Sequence, residues 1–381
     1  MIAPPIPHVR ITLIGLGRRG MKTLERYAFI DGASITHIAD IDSAKLSEAN
    51  SLLIKSNRPQ AIAHAGVDAW KNVCKLAEVD LVYICTDWST HCEIAVAAMN
   101  EGKHVAVEVP AAQTVEECWQ LVRTAERTQR HCFITENCCY DFFALATKEM
   151  HRQGLLGDIT HCEGAYIHQI EQLSASWMES SCASHTGNAY PTHGIGPISQ
   201  LLGIHHTDKM DYLVSLSSST SEAKQGKGRV NTTLIRTING VSILLQLDVT
   251  TARPYSRLQT VCGTQGFVQK YPLPTLQLSS DKEATTGDAA LKRAENYFTC
   301  PSAEIWKKGH ALGVPNEMNY TMDCRLIHCL RNGLPLDINV YEAATWSCIA
   351  ELSQLSADNG SIPVKIPDFT RGKLAKAGSI N

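Results

Sequence analysis

Ile11-Thr12-Leu13-Ile14-Gly15-Leu16-Gly17-Arg18-Arg19-Gly20 decides the fold. An apolar, β-branched run leads directly into G-x-G-x-x-G, and a helix-compatible segment, Met21 to Ala28, follows. Gly15 permits the tight turn, Gly17 lets the backbone approach a pyrophosphate, and Gly20 lets helix pack closely on strand. The helix start then offers unpaired N–H groups and the positive end of its dipole to phosphate. A second strand, Ser34 to Ala39, ends at Asp40, twenty residues beyond Gly20. A carboxylate there binds a ribose 2′-hydroxyl and repels a 2′-phosphate, which favours NAD over NADP. Arg18 and Arg19 keep the second cofactor open, because a guanidinium can pair with that phosphate.

Outward from this turn, strand and helix patterns alternate. Helices are expected at Lys45–Leu53, Trp70–Leu76, Glu93–Asn100 and Val115–Arg127, the last opened by a Thr114/Glu117 capping box. Strands are expected at Val79–Thr86, His104–Glu108 and His131–Glu136, with an irregular piece from Lys55 to Ala65. Strands separated by helices imply right-handed crossovers and a doubly wound parallel sheet. This Rossmann domain is expected to occupy residues 1–137. Ligands in such sheets lie beyond the carboxyl ends of the strands. Those ends carry Asp40, Thr86 to His91, Glu108-Val109-Pro110 and Asn137.

The pattern changes after a helix expected over Tyr140–Gly154. Six alternating stretches follow from Asp158 to Tyr271, with no helical pattern between the last five and Asn239-Gly240 as a two-residue hairpin turn. A second, α+β domain over 138–381 is therefore expected, built on a largely antiparallel open sheet. Residues 280–316 read as irregular and polar, and two helices, Met318–Asn332 and Val340–Leu355, close the chain.

A long loop ends in Gly187-Asn188-Ala189-Tyr190-Pro191-Thr192-His193-Gly194-Ile195-Gly196-Pro197, before a helix expected from Ile195. Glycines there allow close backbone approach, and the imidazole of His193 and the phenol of Tyr190 can both exchange protons. Period-2 alternation puts Tyr166 and His168 on one strand face.

With 381 residues the chain exceeds one usual core, consistent with two domains. Its net charge of -3 gives no electrostatic reason for nucleic acid or anionic membrane as partner. No apolar run approaches roughly 18 residues, and Met1 to Val9 lacks an apolar signal core, so a cytoplasmic protein is expected. The fourteen cysteines include no C-x-x-C pair and read as reduced, buried small hydrophobes, with no metal site among them.

The residues quoted so far resemble the Gfo/Idh/MocA superfamily of NAD(P)-dependent oxidoreductases and, within it, glycoside hydrolase family 109, the NAD-dependent α-N-acetylgalactosaminidases. Further motifs carrying the likeness are Trp88-Ser89-Thr90-His91, Glu163 to His168, Arg253-Pro254-Tyr255-Ser256-Arg257, Gln269-Lys270-Tyr271-Pro272 and Asn332 to Asp337. The resemblance implies hydrolysis by C3 oxidation, C1–C2 elimination, water addition and re-reduction, with NAD recycled. It also implies that Gly15, Gly17, Arg19, Gly20, Asp40, Trp88, His91, Glu108, Val109, Asn137 and Tyr190 contact NAD. Tyr166, Tyr190, Pro191, Thr192, His193 and Tyr271 would surround the sugar. We assign His193 as base for the C3 hydroxyl and Tyr166 to the C2 proton, with Tyr190 beside them. A small-molecule or glycan substrate and a homo-oligomer, dimer or tetramer, complete what the family implies.

Two departures stand out. Most of the superfamily has a lysine where this chain has Val109, which counts against an ordinary sugar dehydrogenase. The family places a substrate-binding arginine after the tryptophan where this chain has Trp177-Met178, which leaves the identity of the sugar open. Competing readings are a sugar or cyclitol oxidoreductase and a non-catalytic nucleotide-binding homologue.

Overall fold

A computed structural model describes residues 3–169, 176–218 and 229–373, without the side chains of 176–179. The first third runs β1 (Val9–Ile14), α1 (Arg18–Tyr27), β2 (Ala33–Asp40), α2 (Ser43–Lys55), β3 (Ile62–Ala65), α3 (Ala69–Cys74), β4 (Leu81–Ile84), α4 (Trp88–Asn100), β5 (His104–Val107), α5 (Val115–Thr128) and β6 (Cys132–Ile134). A 3-10 turn, Asn137–Tyr140, precedes α6 (Phe142–Arg152), β7 (Ile159–Ile167), α7 (Ser176–Ser184) and α8 (Thr192–Leu202). Then come β8 (Met210–Ser217), β9 (Val230–Thr237), β10 (Ser242–Asp248), β11 (Ser256–Gly263), β12 (Gly266–Gln269), β13 (Thr275–Leu278) and β14 (Thr285–Thr286). The chain continues through α9 (Asp288–Glu295), α10 (Pro301–Leu312), α11 (Glu317–Asn332), α12 (Val340–Asp358) and β15 (Val364–Lys365).

Two compact units result. One joins Met1–Asn137 with Glu304–Ala344, the other Cys138–Ala303 with Thr345–Asn381. The stretch 304–344, which a single cut after residue 137 gives to the second domain, thus clusters with the first. The cause is a buried ion pair. Arg26 of α1 donates to Asp323 of α11 at 2.9 Å, both side chains nearly inaccessible, and the Tyr83 hydroxyl donates to the same carboxylate. The backbone N–H of Ile6 donates to the Leu330 carbonyl and ties the segment before β1 to the same helix.

In the first unit the sheet order is β3-β2-β1-β4-β5-β6, parallel throughout. β4 and β5 are buried at every residue, which is why they read as continuous apolar runs rather than as alternation. Thr114 and Glu117 form the expected capping box. Two details differ from the sequence reading. The piece from Lys55 to Ala65 contains β3, whose pattern is hidden because it is a mostly exposed edge strand. Helix α4 begins at Trp88, five residues ahead of the Glu93 start expected, with Asp87 as its cap.

The second unit holds a nine-stranded sheet in the order β14-β13-β12-β11-β7-β10-β9-β8-β15. Every pairing is antiparallel except β7 with β10. The turn between β9 and β10 is a three-residue loop rather than two, because the Gly240 N–H closes a turn on Thr237 and Gly240 takes φ +93 as the bulge residue. Residues 280–316 contain α9 and α10, whose short polar sequences carry weak periodicity. Among the described residues, Leu216 and Leu234 are exposed on one face of the sheet. Among the described residues no helix is long and apolar enough to cross a membrane, and none of the fourteen cysteines is in a disulfide.

Candidate active site

The glycine turn of the first unit is shaped by clearance. Gly15 has φ +87, and a Cβ at Gly20 would sit 1.9 Å from the Gly15 carbonyl oxygen, so neither tolerates a side chain. A Cβ at Gly17 would meet nothing within 4 Å, which leaves open space over the start of α1. That helix has no side-chain cap, so its first N–H groups are not taken by one. Asp40 ends β2 and accepts from the Leu16 N–H at 2.6 Å and the Asp42 N–H at 2.8 Å. Both bonds orient the carboxylate and leave lone pairs on each oxygen for a diol. An uncapped helix start, a cleared glycine and an oriented acid are what a dinucleotide's pyrophosphate and ribose require.

Arg19 of α1 reaches Glu108 at 3.0 Å, and Glu108 is buried. Val109, which follows Glu108 after β5, and Trp88, the first residue of α4 after β4, are also buried. Buried His91 has Nδ1 2.8 Å from the Pro110 carbonyl and Nε2 3.2 Å from that of Thr86. It therefore braces two strand-end loops, and burial lowers its pKa against the pull of those carbonyls. Asn137 donates to the Asn319 side chain at 2.9 Å, a partner from α11 that no local sequence signal announces.

The second unit gathers the aromatic residues. Helix α8 starts at Thr192, three residues earlier than the glycines at 194 and 196 led us to expect, so His193 lies in its first turn. Pro197 then removes the helical N–H that would otherwise face the His193 carbonyl. The loop before it is fixed from α12: the Asn188 N–H donates to Ser353 at 2.8 Å, and the Asn188 side chain accepts from the Tyr190 N–H. The Tyr190 hydroxyl stands 3.3 Å from His193 Nε2, and their rings meet edge-on at 4.9 Å. Tyr166, from the end of β7, packs 4.7 Å from Tyr190 and 5.4 Å from His193. Its hydroxyl lies 3.0 Å from His168 Nδ1. Pro191 and Thr192 are buried, and Thr192 Oγ1 has no hydrogen-bond partner among the described residues.

Close backbone packing places these rings. A Cβ at Gly164 would fall 2.6 Å from the Gly194 carbonyl oxygen, and one at Gly194 2.9 Å from the Ala165 nitrogen. Strand β7 and helix α8 therefore touch main chain to main chain, two residues from Tyr166 and one from His193.

Tyr271 joins through Tyr255, whose ring is 5.8 Å from Tyr271 and 5.2 Å from His168. Behind it Arg257 Nη2 donates to the Tyr271 hydroxyl at 3.3 Å and to Asp141 at 2.9 Å, and Lys270 also donates to Asp141. Burial raises the Asp141 carboxyl, but the charges of Arg257 and Lys270 outweigh it and hold that carboxyl far below the usual range. Burial pushes the Tyr255 phenol up, with Arg257 opposing. Gln259 takes φ +59, and both ends of its amide are buried with no hydrogen-bond partner among the described residues. Asp141, Tyr255, Arg257, Gln259 and Lys270 were not expected in the site. Tyr255, Arg257 and Lys270 sit in motifs that carried the family likeness, whereas Asp141 reads locally as the cap of α6, which it also is. The side chain of Met178 lies outside the described residues.

Residues 9–136 match the oxidoreductase family with an NAD-binding Rossmann fold, and residues 140–376 match the glycosyl hydrolase 109 C-terminal domain. An alpha-N-acetylgalactosaminidase of Bacteroides fragilis is 50% identical over 98% of this chain and 94% of its own. A glycosyl hydrolase family 109 protein 2 of Phocaeicola vulgatus is also 50% identical, over 98% of this chain and 97% of its own. Among solved structures, an NAD binding oxidoreductase from Klebsiella pneumoniae superposes with a TM-score of 0.74 over 95% of this chain and 100% of its own, at 16% identity, a likeness of fold. In both of its parts the chain belongs to glycosyl hydrolase family 109.

Proposed function

We propose that this protein hydrolyses terminal α-linked N-acetylgalactosamine, or a closely related sugar, by C3 oxidation, C1–C2 elimination, water addition and re-reduction. The observation that carries this is its 50% identity, across 98% of the chain, to an alpha-N-acetylgalactosaminidase. The chemistry of the aromatic cluster agrees. Two-carboxylate hydrolysis needs a pair of free acids flanking the bond. Here Asp141 is taken by two cations, and the phenols and imidazoles of the cluster can carry the protons.

In the first unit the start of α1 and Gly17 would hold the pyrophosphate of NAD, and Asp40 the ribose. When bound, NAD supplies reversible hydride acceptance at sugar C3, which acidifies the C2 proton. His193 takes the proton of the C3 hydroxyl, with Tyr190 hydrogen-bonded to its Nε2 to fix the ring. Tyr166 removes the C2 proton and later returns it. Tyr271, its hydroxyl engaged by Arg257, contributes a donor to the sugar. Val109 occupies the position of the superfamily's lysine, so no ammonium group serves there. A homo-oligomer assembled on the open sheet face around Leu216 and Leu234 is part of the same proposal.

The test is incubation with 4-nitrophenyl α- and β-glycosides of N-acetylgalactosamine, galactose and their gluco counterparts, in D₂O and without added cofactor. Nitrophenol release with deuterium at sugar C2 is expected. NADH accumulation from free sugars, with no nitrophenol from any glycoside, would replace this reading with a net oxidoreductase.

A further inference from the structure

Oxidation at C3 followed by elimination moves two protons at neighbouring carbons, the first from the C3 hydroxyl and the second from C2. The second unit holds two phenol–imidazole pairs packed against each other: Tyr190 with His193 at 3.3 Å, and Tyr166 with His168 at 3.0 Å, the two tyrosine rings 4.7 Å apart. A phenol with an ordinary pKa near 10 is nearly all protonated at neutral pH and cannot remove a proton until it has lost its own. His168 Nδ1 lies within hydrogen-bond reach of the Tyr166 hydroxyl, at 3.0 Å.

We propose that His168 is a positioning residue that acts through Tyr166, accepting the phenol proton while Tyr166 takes the C2 proton. This rests on the glycosidase reading above. The pair is built by the strand. Tyr166 and His168 fall on one face two residues apart, and the His168 N–H donates to the Asp248 carbonyl at 3.0 Å, holding the ring at the end of β7 against β10. Tyr255 closes the far side edge-on at 5.2 Å, its phenol kept neutral by burial. The titratable groups on the elements packed against His168 include Tyr166, Tyr255 and Asp248, whose carboxylate is taken by Thr251 and Arg253.

The step balances. The Tyr166 proton passes to His168 Nδ1, and the phenolate oxygen takes the C2 proton. The C2–H electron pair becomes the C1–C2 double bond, and the C1–O pair leaves with the aglycone oxygen. Water then gives hydroxide to C1 and a proton to the aglycone, Tyr166 returns a proton to C2, and His168 gives its proton back to the phenol.

The experiment compares wild type with His168→Asn and His168→Phe on the substrate the wild type prefers. Asparagine keeps a hydrogen-bonding group near the Nδ1 position without a titrating one. Both variants are expected to lose about 100-fold in kcat with KM within about threefold, and to lose the acid limb of the kcat–pH profile. On mixing with sugar, both are expected still to reduce their bound dinucleotide at 340 nm, because C3 oxidation precedes the step assigned to this pair. Rescue of kcat by asparagine, or an acid limb unchanged in both variants, would overturn the proposal. A His168→Phe protein without a cooperative thermal transition is set aside and His168→Asn decides. If the wild type releases no nitrophenol, the glycosidase reading falls and this proposal with it. If the wild type turns over and the variants match it, this proposal alone falls.

Discussion

The Tyr190 hydroxyl approaches His193 Nε2 at 3.3 Å while the two rings stand at 85° to each other. The two rings are therefore close to perpendicular, an edge-on contact with the hydroxyl in reach of the ring nitrogen rather than a stack. They lie three positions apart, and the start of α8 brings them together.

Replacing His193 with Ala is expected to cut kcat by at least about 100-fold while leaving the dinucleotide bound, because His193 is not among the residues assigned to NAD. Absorbance of the purified variant reads the cofactor and nitrophenol release reads turnover. Near-normal turnover would remove His193 from the reaction.

Asp40→Ala removes a carboxylate oriented by two backbone N–H groups. Affinity for NAD is expected to fall by about 10- to 100-fold, the size of a hydrogen bond to a charged group. Affinity for the 2′-phosphorylated dinucleotide should fall less, which narrows the preference. Calorimetry on stripped protein measures both, and an unchanged NAD affinity would show that another group holds the ribose.

Asp323→Ala leaves the Arg26 guanidinium buried without its carboxylate and is expected to destabilise the first unit by about 3–5 kcal/mol. The double change Arg26→Met with Asp323→Leu is expected to cost much less, because no charge is then stranded. Urea denaturation of the three proteins checks this, and additive single and double effects would contradict it.

His104 and His131 stack at 5.2 Å inside the first unit. Burial lowers both, His104 to about 3 and His131 to about 4, with Arg130 adding to each. In the folded protein both rings stay neutral, whereas the unfolded chain protonates them near pH 6.5. Their contribution is thus complete above about pH 6.5 and is lost as pH falls toward 4, at up to about 1.4 kcal/mol per pH unit for each ring. The His131 N–H donates to His104 Nδ1, so His104→Asn keeps that acceptor and is expected to flatten the acid side of the stability profile. An unchanged slope would locate the acid sensitivity elsewhere.

The first domain was legible because its signals are local. Gly15 to Gly20, Asp40 and the Thr114/Glu117 box each sit within a few residues of what they do. The edge strand β3 was missed because exposure on both faces erases alternation. Tyr166, Tyr190, His193 and Tyr271 were found partly by their chemistry and chiefly by family likeness. Asp141, Gln259 and His168's bond to Tyr166 depend on contacts between distant stretches or on side-chain direction, which spacing does not encode. The same holds for Asp323, whose partner Arg26 lies 297 positions away.

The contact of Gly164 with Gly194 makes the spacing between the backbones that carry Tyr166 and His193 a property of the main chain. No side chain intervenes in that contact, so side-chain drift elsewhere cannot thicken it. A change of sugar can then evolve in the surrounding loops while the register of Tyr166 against His193 is inherited intact.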